Sequence, residues 1–128
     1  MILTDVDRTH GLLTIRFFGR VDAAQMRQCV ERLEGLLSDL EPGFRVLTDL
    51  SELESMETAC VPYITRSMDL CNRKGVAAIA RVIPEPHKDL GYGIMSRFHY
   101  DARVRIAVCE TLEQATEFLS LQALANVG

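Results

Sequence analysis

The chain has 128 residues, 48% of them hydrophobic and 25% charged, with a formal net charge of -4. That length suits a single domain over residues 1–128 with its own apolar core, and that composition excludes an intrinsically disordered chain. The acidic balance argues against general affinity for nucleic acid or anionic membrane, and no stretch nears the roughly 18 apolar residues of a bilayer span, so neither nucleic-acid binding nor membrane insertion is expected.

The start, Met1-Ile2-Leu3-Thr4-Asp5, lacks the basic opening and apolar run of a signal peptide, so a cytoplasmic location is expected. Ile2 to Val6 reads as a strand, and Arg8-Thr9-His10-Gly11 as a turn in which Gly11 takes a positive φ. Leu12 to Phe18 returns as a second, antiparallel strand. Asp22, with Gln25 three residues on, opens a helix whose apolar stripe is Met26, Cys29, Val30, Leu33, Leu36, Leu37 and Leu40. Glu41-Pro42-Gly43 stops it, and Phe44 to Leu50 forms the third strand.

A second helix is expected from about Thr58 to Arg73, tolerating Pro62 in its first turns and burying Ile64, Met68 and Cys71. Lys74-Gly75 closes it, and Val76 to Val82 is the fourth strand. Pro84-Glu85-Pro86 forces an extended loop, after which Leu90, Ile94 and Phe98 suggest a short helix. Val104 to Val108 is the fifth strand, and Thr111 with Gln114 caps the last helix, carrying Leu112, Ala115, Phe118, Leu119 and Gln122.

The order β-β-α-β-α-β-α-β-α predicts an α/β fold with a mixed, mainly parallel five-stranded sheet. The strands alternate: Leu13, Ile15 and Phe17 share one side against Thr14 and Arg16, and Val104, Ile106 and Val108 oppose Arg103 and Arg105. One apolar face covered by most of the helices is therefore expected, with the other half polar and more open. Arg16, Arg81, Arg103 and Arg105 are expected on that open face, joined by Arg45 if its strand keeps phase. The face would serve as an anion-binding or partner-binding surface, because the guanidinium fork suits carboxylates and phosphates. The alternative is that Asp5, Asp7 or Asp49 pairs with these arginines or that they keep an exposed sheet solvated. With Phe18, Leu47 and Ile79 beside the arginines, this face is also the expected contact of a homodimer. The edge of the first strand is a second route, blunted by Asp5, Asp7 and Arg8.

No catalytic set is legible. His10, His87 and His99 lie far apart and outside metal-ligand spacing, so no metal, cofactor or catalytic residue is assigned. Cys29, Cys60, Cys71 and Cys109 form no C-x-x-C pair and read as small core residues. Gly91-Tyr92-Gly93 lacks the third glycine of a dinucleotide fingerprint. The carboxylates from Asp49 to Glu57 read as a solvated acidic loop.

Asp49-Leu50-Ser51 followed by Met56-Glu57-Thr58-Ala59-Cys60 resembles the signature of the STAS superfamily, the sulfate-transporter and anti-sigma-factor-antagonist domains. In that family a strand ends in Asp-Leu/Phe-Ser and a helix opens with Met/Ile-Asp-Ser-Ser/Thr-Gly. The resemblance spans Leu12 to about Leu121 and implies a STAS-like βα superhelix. It further implies a bacterial, non-enzymatic regulatory module whose partner is an anti-sigma factor or kinase-like protein. The partner-binding residues carried over are Asp49, Ser51, Glu57, Thr58 and Ala59. Ala59 stands where phosphoregulated members carry the phosphorylated hydroxyl, and Cys60 where the glycine stands, so the serine phosphoswitch is not expected. Read without the family, Thr58 and Glu57, or Ser55, cap a helix. The alternative function is a binding protein for a small molecule, nucleotide or lipid, or a minor enzyme, using residues 84–92 as a lid.

Overall fold

The computed structural model describes residues 1–83, 100 and 103–127, with side chains of the last helix described to residue 122. Strands β1 (Ile2–Asp7) and β2 (Leu12–Val21) precede helix α1 (Ala23–Leu37), and β3 (Arg45–Met56) follows. A 3-10 turn (Thr58–Cys60) leads into α2 (Val61–Arg73), then come β4 (Ala78–Val82), β5 (Arg105–Cys109) and α3 (Leu112–Val127). The expected proline loop and short helix between β4 and β5 lie outside the described residues.

The strands form one sheet in the order β1-β2-β3-β4-β5, with β1 antiparallel to β2 and the remaining neighbours parallel. Gly11 turns the first hairpin at φ 61°, as its place in the turn requires. Asp22 Oδ1 accepts from Gln25 N at 2.8 Å while Gln25 Oε1 accepts from Asp22 N at 3.0 Å, so both local halves of the α1 capping box form. Helix α2 ends in a Schellman motif, with Val76 N donating to Cys71 O and Gly75 N to Asn72 O, and Gly75 at φ 89°.

Right-handed crossovers between sequential parallel strands put α1 and α2 on one face of the sheet. There Leu13, Ile15, Phe17, Val46 and Ile79 meet Met26, Val30, Leu33, Ile64, Met68 and Cys71 in the larger core. No crossover between described strands contains helix α3, so the crossover rule does not fix its side. It folds over the opposite face, where Ala115 and Leu119 pack on Leu47, Ala78, Ala80, Val82 and Cys109. The face expected to stay open is therefore closed over β3, β4 and β5 and remains open at β1 and β2. Arg45 fastens the helix there, donating to the carbonyl of Leu119 at 2.8 Å and to that of His10.

The register corrects the arginine face. Thr48 pairs with Arg81 and Val46 with Ile79, whereas Arg16 pairs with Asp49 and Arg105 with Ala78. Arg81 and Ile79 thus stand on the α1/α2 side, opposite Arg16, Arg45 and Arg105. All five residues of β4 are buried, so small Ala78 and Ala80 mark the side on which α3 approaches closely, not the α1/α2 side. Arg103 precedes β5 and is exposed, and Arg105 is exposed as well.

Candidate functional site

β4 ends opposite Asp49, but β3 continues to Met56 with β2 as its only neighbour among the described strands. The segment expected as an acidic loop is therefore the second half of a strand. The register slips where it leaves the sheet: Arg16 faces Asp49, and Phe18 faces Glu52, so β3 carries one residue more than β2. Asp49 sits at the slip, 4% exposed. Its Oδ1 accepts from Ser51 N at 3.0 Å and from Ser51 Oγ at 2.6 Å, and its Oδ2 lies 3.5 Å from Arg16 Nε. Arg16 in turn stacks over the Phe18 ring, 5.1 Å from its centroid. Asp49, Ser51 and Arg16 thus form a clamp that fixes the bulge, with the carboxylate held by two Ser51 donors and an ion pair to Arg16.

The ribbon delivers Glu57, Thr58 and Ala59 to exposed positions at the carboxyl ends of the parallel strands. Glu57 N donates to Val21 O at 3.1 Å, and Cys60 N to Glu57 O at 3.0 Å. Glu57 Oε1 accepts from Ala23 N at 3.1 Å, so this carboxylate closes the N-terminus of α1, not that of the helix it precedes. Among the described residues no side chain caps the 3-10 turn or α2, so neither Thr58 nor Ser55 makes the cap expected of it. Pro62 stands in the first turn of α2, where its missing N–H leaves no bond unmade.

Cys60 is fully buried, with Sγ 3.8 Å from Val21 O, and anchors the turn from beneath. Burial, then the carboxylates of Glu57 and Asp22, push its thiol above the ordinary range, which suppresses its nucleophilicity. The other cysteines are buried too; burial pushes the Cys29 thiol up to about 11 and the Cys71 thiol up to about 12. The rim of the site is acidic: Asp22, Glu52, Glu54 and Glu57 are all exposed, against Arg20, whose Nε lies 3.9 Å from Glu54. Exposed Val61 and Pro62 continue the surface onto α2.

The structure brings together Glu57, Thr58 and Ala59 at the surface, with Asp49, Ser51 and Arg16 supporting the ribbon behind them. Arg81, Arg103 and Arg105 do not join them. Sequence reasoning missed the Glu57–Ala23 bond, which depends on the β2/β3 register and has no local signature. His10 hydrogen-bonds Asp7 at 2.7 Å in the first hairpin, away from this surface. Among the described residues no group of three or more His, Cys, Asp or Glu side chains is placed to hold a metal ion, and no helix is long and apolar enough to cross a membrane. His87, His99, Gly91-Tyr92-Gly93 and the lid at 84–92 lie outside the described residues.

Among solved structures, an uncharacterised protein with a SpoIIAA-like fold from Shewanella loihica is similar, with a TM-score of 0.69 and 16% identity over 93% of this chain and 92% of that one. The anti-sigma factor antagonist SpoIIAA in its unphosphorylated form matches at TM-score 0.65 and 15% identity, covering 94% of this chain and 98% of that one. An anti-sigma factor antagonist from Mycobacterium paratuberculosis matches at TM-score 0.61 and 12% identity, over 94% and 93% of the two chains. No family model matches the sequence, and no curated protein does. The chain has the SpoIIAA-like fold.

Proposed function

We infer that the chain is a regulatory protein-interaction module without catalytic activity, and that the surface running from Asp22 across Glu57, Thr58 and Ala59 to Pro62 receives a protein partner. The observation that carries this reading is the ribbon. An extension of two strands, locked at its base by Asp49 and at its tip by Glu57 and Cys60, holds three exposed residues on a fixed frame. A preset surface of this kind favours association, because little ordering entropy is lost on binding. The fold shared with anti-sigma factor antagonists supports the same reading, with an anti-sigma factor or kinase-like protein as the partner. The acidic rim adds that the facing surface is basic.

Ala59 offers no hydroxyl, so binding is not switched by phosphate at that position. Cytoplasmic residence and self-association as a homodimer belong to the same reading. The test is titration calorimetry of the wild-type protein and the Ala59→Arg variant against the anti-sigma factors of the source cell. Ala59→Arg places a bulky cation at the centre of the surface and lowers affinity at least about tenfold, equivalent to about 1.4 kcal/mol. Equal affinity of the two proteins for a bound partner contradicts the assignment of this surface. Intact mass after incubation with an anti-sigma-factor kinase checks the switch: stoichiometric phosphate on Thr58 contradicts its absence.

A further inference from the structure

The outer edge of β1 carries a second surface. Met1 N donates to Phe18 O at 2.9 Å and Phe18 N donates to Met1 O at 2.8 Å, so these two residues exchange both backbone bonds. In an antiparallel ladder bonded and non-bonded pairs alternate. With Ile2 facing Phe17, Thr4 facing Ile15 and Val6 facing Leu13, the backbone N–H and C=O groups of Ile2, Thr4 and Val6 point away from β2. Among the described strands β1 is the last on this side of the sheet. The Thr4 hydroxyl is buried without a hydrogen-bond partner among the described residues. Beside it a groove of about 210 Å³ opens between β1 and α1, lined by Ile2, Thr4, Gln25, Gln28, Cys29 and Arg32.

We propose that this edge pairs with the β1 edge of a second copy of the chain, antiparallel, about a two-fold axis at Thr4. The proposal gives a surface to the homodimer named above and rests on that part of the reading alone. In this register Thr4 faces Thr4 of the second copy, and Ile2 and Val6 face Val6 and Ile2, so all three outward residues of each strand exchange both of their bonds. The two threonine hydroxyls fall side by side on the α1 face, where each supplies the partner the other lacks. On the opposite face Asp5 lies across from Leu3, which is 45% exposed, and no carboxylate meets another.

The charges that blunt the edge select the register. A slip of one pair toward the C-terminus sets Asp5 against Asp5, which is repulsive. A slip the other way leaves Val6 unpaired and loses a facing pair. A two-fold axis perpendicular to the sheet also brings the α1 helices together on one face. Exposed Glu31 and Arg32 of each helix supply both signs of charge there, as a self-complementary contact requires. The sheet face expected from the sequence to mediate the dimer does not supply this contact, since Ile79 and Arg81 are buried under α1 and α2 and Leu47 under α3.

Sedimentation velocity of the full chain from micromolar to millimolar concentration, with circular dichroism as the fold control, tests the pairing. The wild type sediments as a dimer, and Thr4→Pro shifts it to monomer with at least about a tenfold loss of dimer affinity, because two inter-copy donors vanish. The Thr4 N–H points outward, so the proline removes no bond to β2. Cross-linking stands independently of whether Thr4→Pro folds. Thr4→Cys forms an intermolecular disulfide on mild oxidation, since bonded antiparallel pairs hold their Cα atoms about 5.5 Å apart, within disulfide range. Leu3→Cys, facing Asp5, does not, and the native cysteines are buried. A monomeric wild type, a folded Thr4→Pro that still dimerises, or cross-linking of Leu3→Cys in preference to Thr4→Cys overturns the proposal. So does a monomer that takes up an added β-strand peptide along this edge. None of these results touches partner binding at Ala59, and loss of partner binding leaves the edge pairing standing.

Discussion

Glu57 caps a helix that begins 34 residues earlier in the chain, and it does so from the far side of a strand crossover. Its carboxylate meets a free backbone N–H at the positive end of α1, where an anion stabilises by about 0.3–1 kcal/mol and a lost cap costs about 1 kcal/mol. Glu57→Ala should therefore lower unfolding stability by about 1 kcal/mol in urea titration, with Glu57→Gln losing less because an acceptor remains. Asp49 is more deeply committed. Replacing it with alanine strands the Ser51 donors and removes the ion pair to Arg16, and should cost about 2–3 kcal/mol by the same measurement. Cys29 and Cys71 set an alkaline limit. Their thiols are held protonated in the folded protein, up to about 11 and about 12 against an ordinary 9.0, so the unfolded chain releases these protons first. Stability contributed this way is complete below pH 9 and falls as pH rises through the range up to those values, by about 1.4 kcal/mol per pH unit for each thiol. Unfolding free energies measured from pH 8 to 11 should show that fall, and Cys71→Ala should make it shallower. Caps made within four residues, Asp22 with Gln25 and Thr111 with Gln114, were legible in the sequence because both partners lie in one turn. Glu57 with Ala23 was not, because only the pairing of Val21 with Met56 brings them together.

At the scale of elements, periodicity located every described strand and helix but not how far β2 and β3 run, since β2 was expected to end at Phe18 and continues to Val21. The second half of β3, Ser51 to Met56, is polar and carries two carboxylates or hydroxyls for each apolar residue at Leu53 and Met56, the composition of a loop. It becomes a strand because β2 is long enough to pair it, down to Val21. The side of the sheet on which each residue of β4 falls was equally hidden. A strand buried on both faces gives no polar row from which to read its phase, and Arg81, 2% exposed, imitates one. The small residues were the better guide. Ala80 is fully buried in the cluster with Leu119, so Ala80→Leu should overpack the contact with α3 and destabilise by about 1–3 kcal/mol, while hydrogen exchange should show α3 amides losing protection first. Unchanged protection in α3 would mean that the helix is held by Arg45 and not by this packing.

For the whole molecule, the alternation of elements made the α/β class and the strand order legible, since right-handed crossovers leave few other arrangements. The resemblance at Asp49-Leu50-Ser51 and Met56-Glu57-Thr58 pointed to the fold that the solved structures share. The fold creates two surfaces: an acidic tip around Thr58, at the residues the resemblance named, and an edge of β1, open among the described residues, whose centring on Thr4 only the β1/β2 register reveals. They lie on different parts of the molecule, so copy number and partner binding are separable properties. A dimer through β1 would leave both tips free, and each copy would engage one partner. The central claim is that the tip is the partner surface. Its most direct test is calorimetric titration of an anti-sigma factor from the source cell into the wild type, Ala59→Arg and Thr4→Pro. Binding at one partner per copy by the wild type and Thr4→Pro, weakened at least about tenfold by Ala59→Arg, is the predicted result; binding that Ala59→Arg leaves unchanged would contradict it.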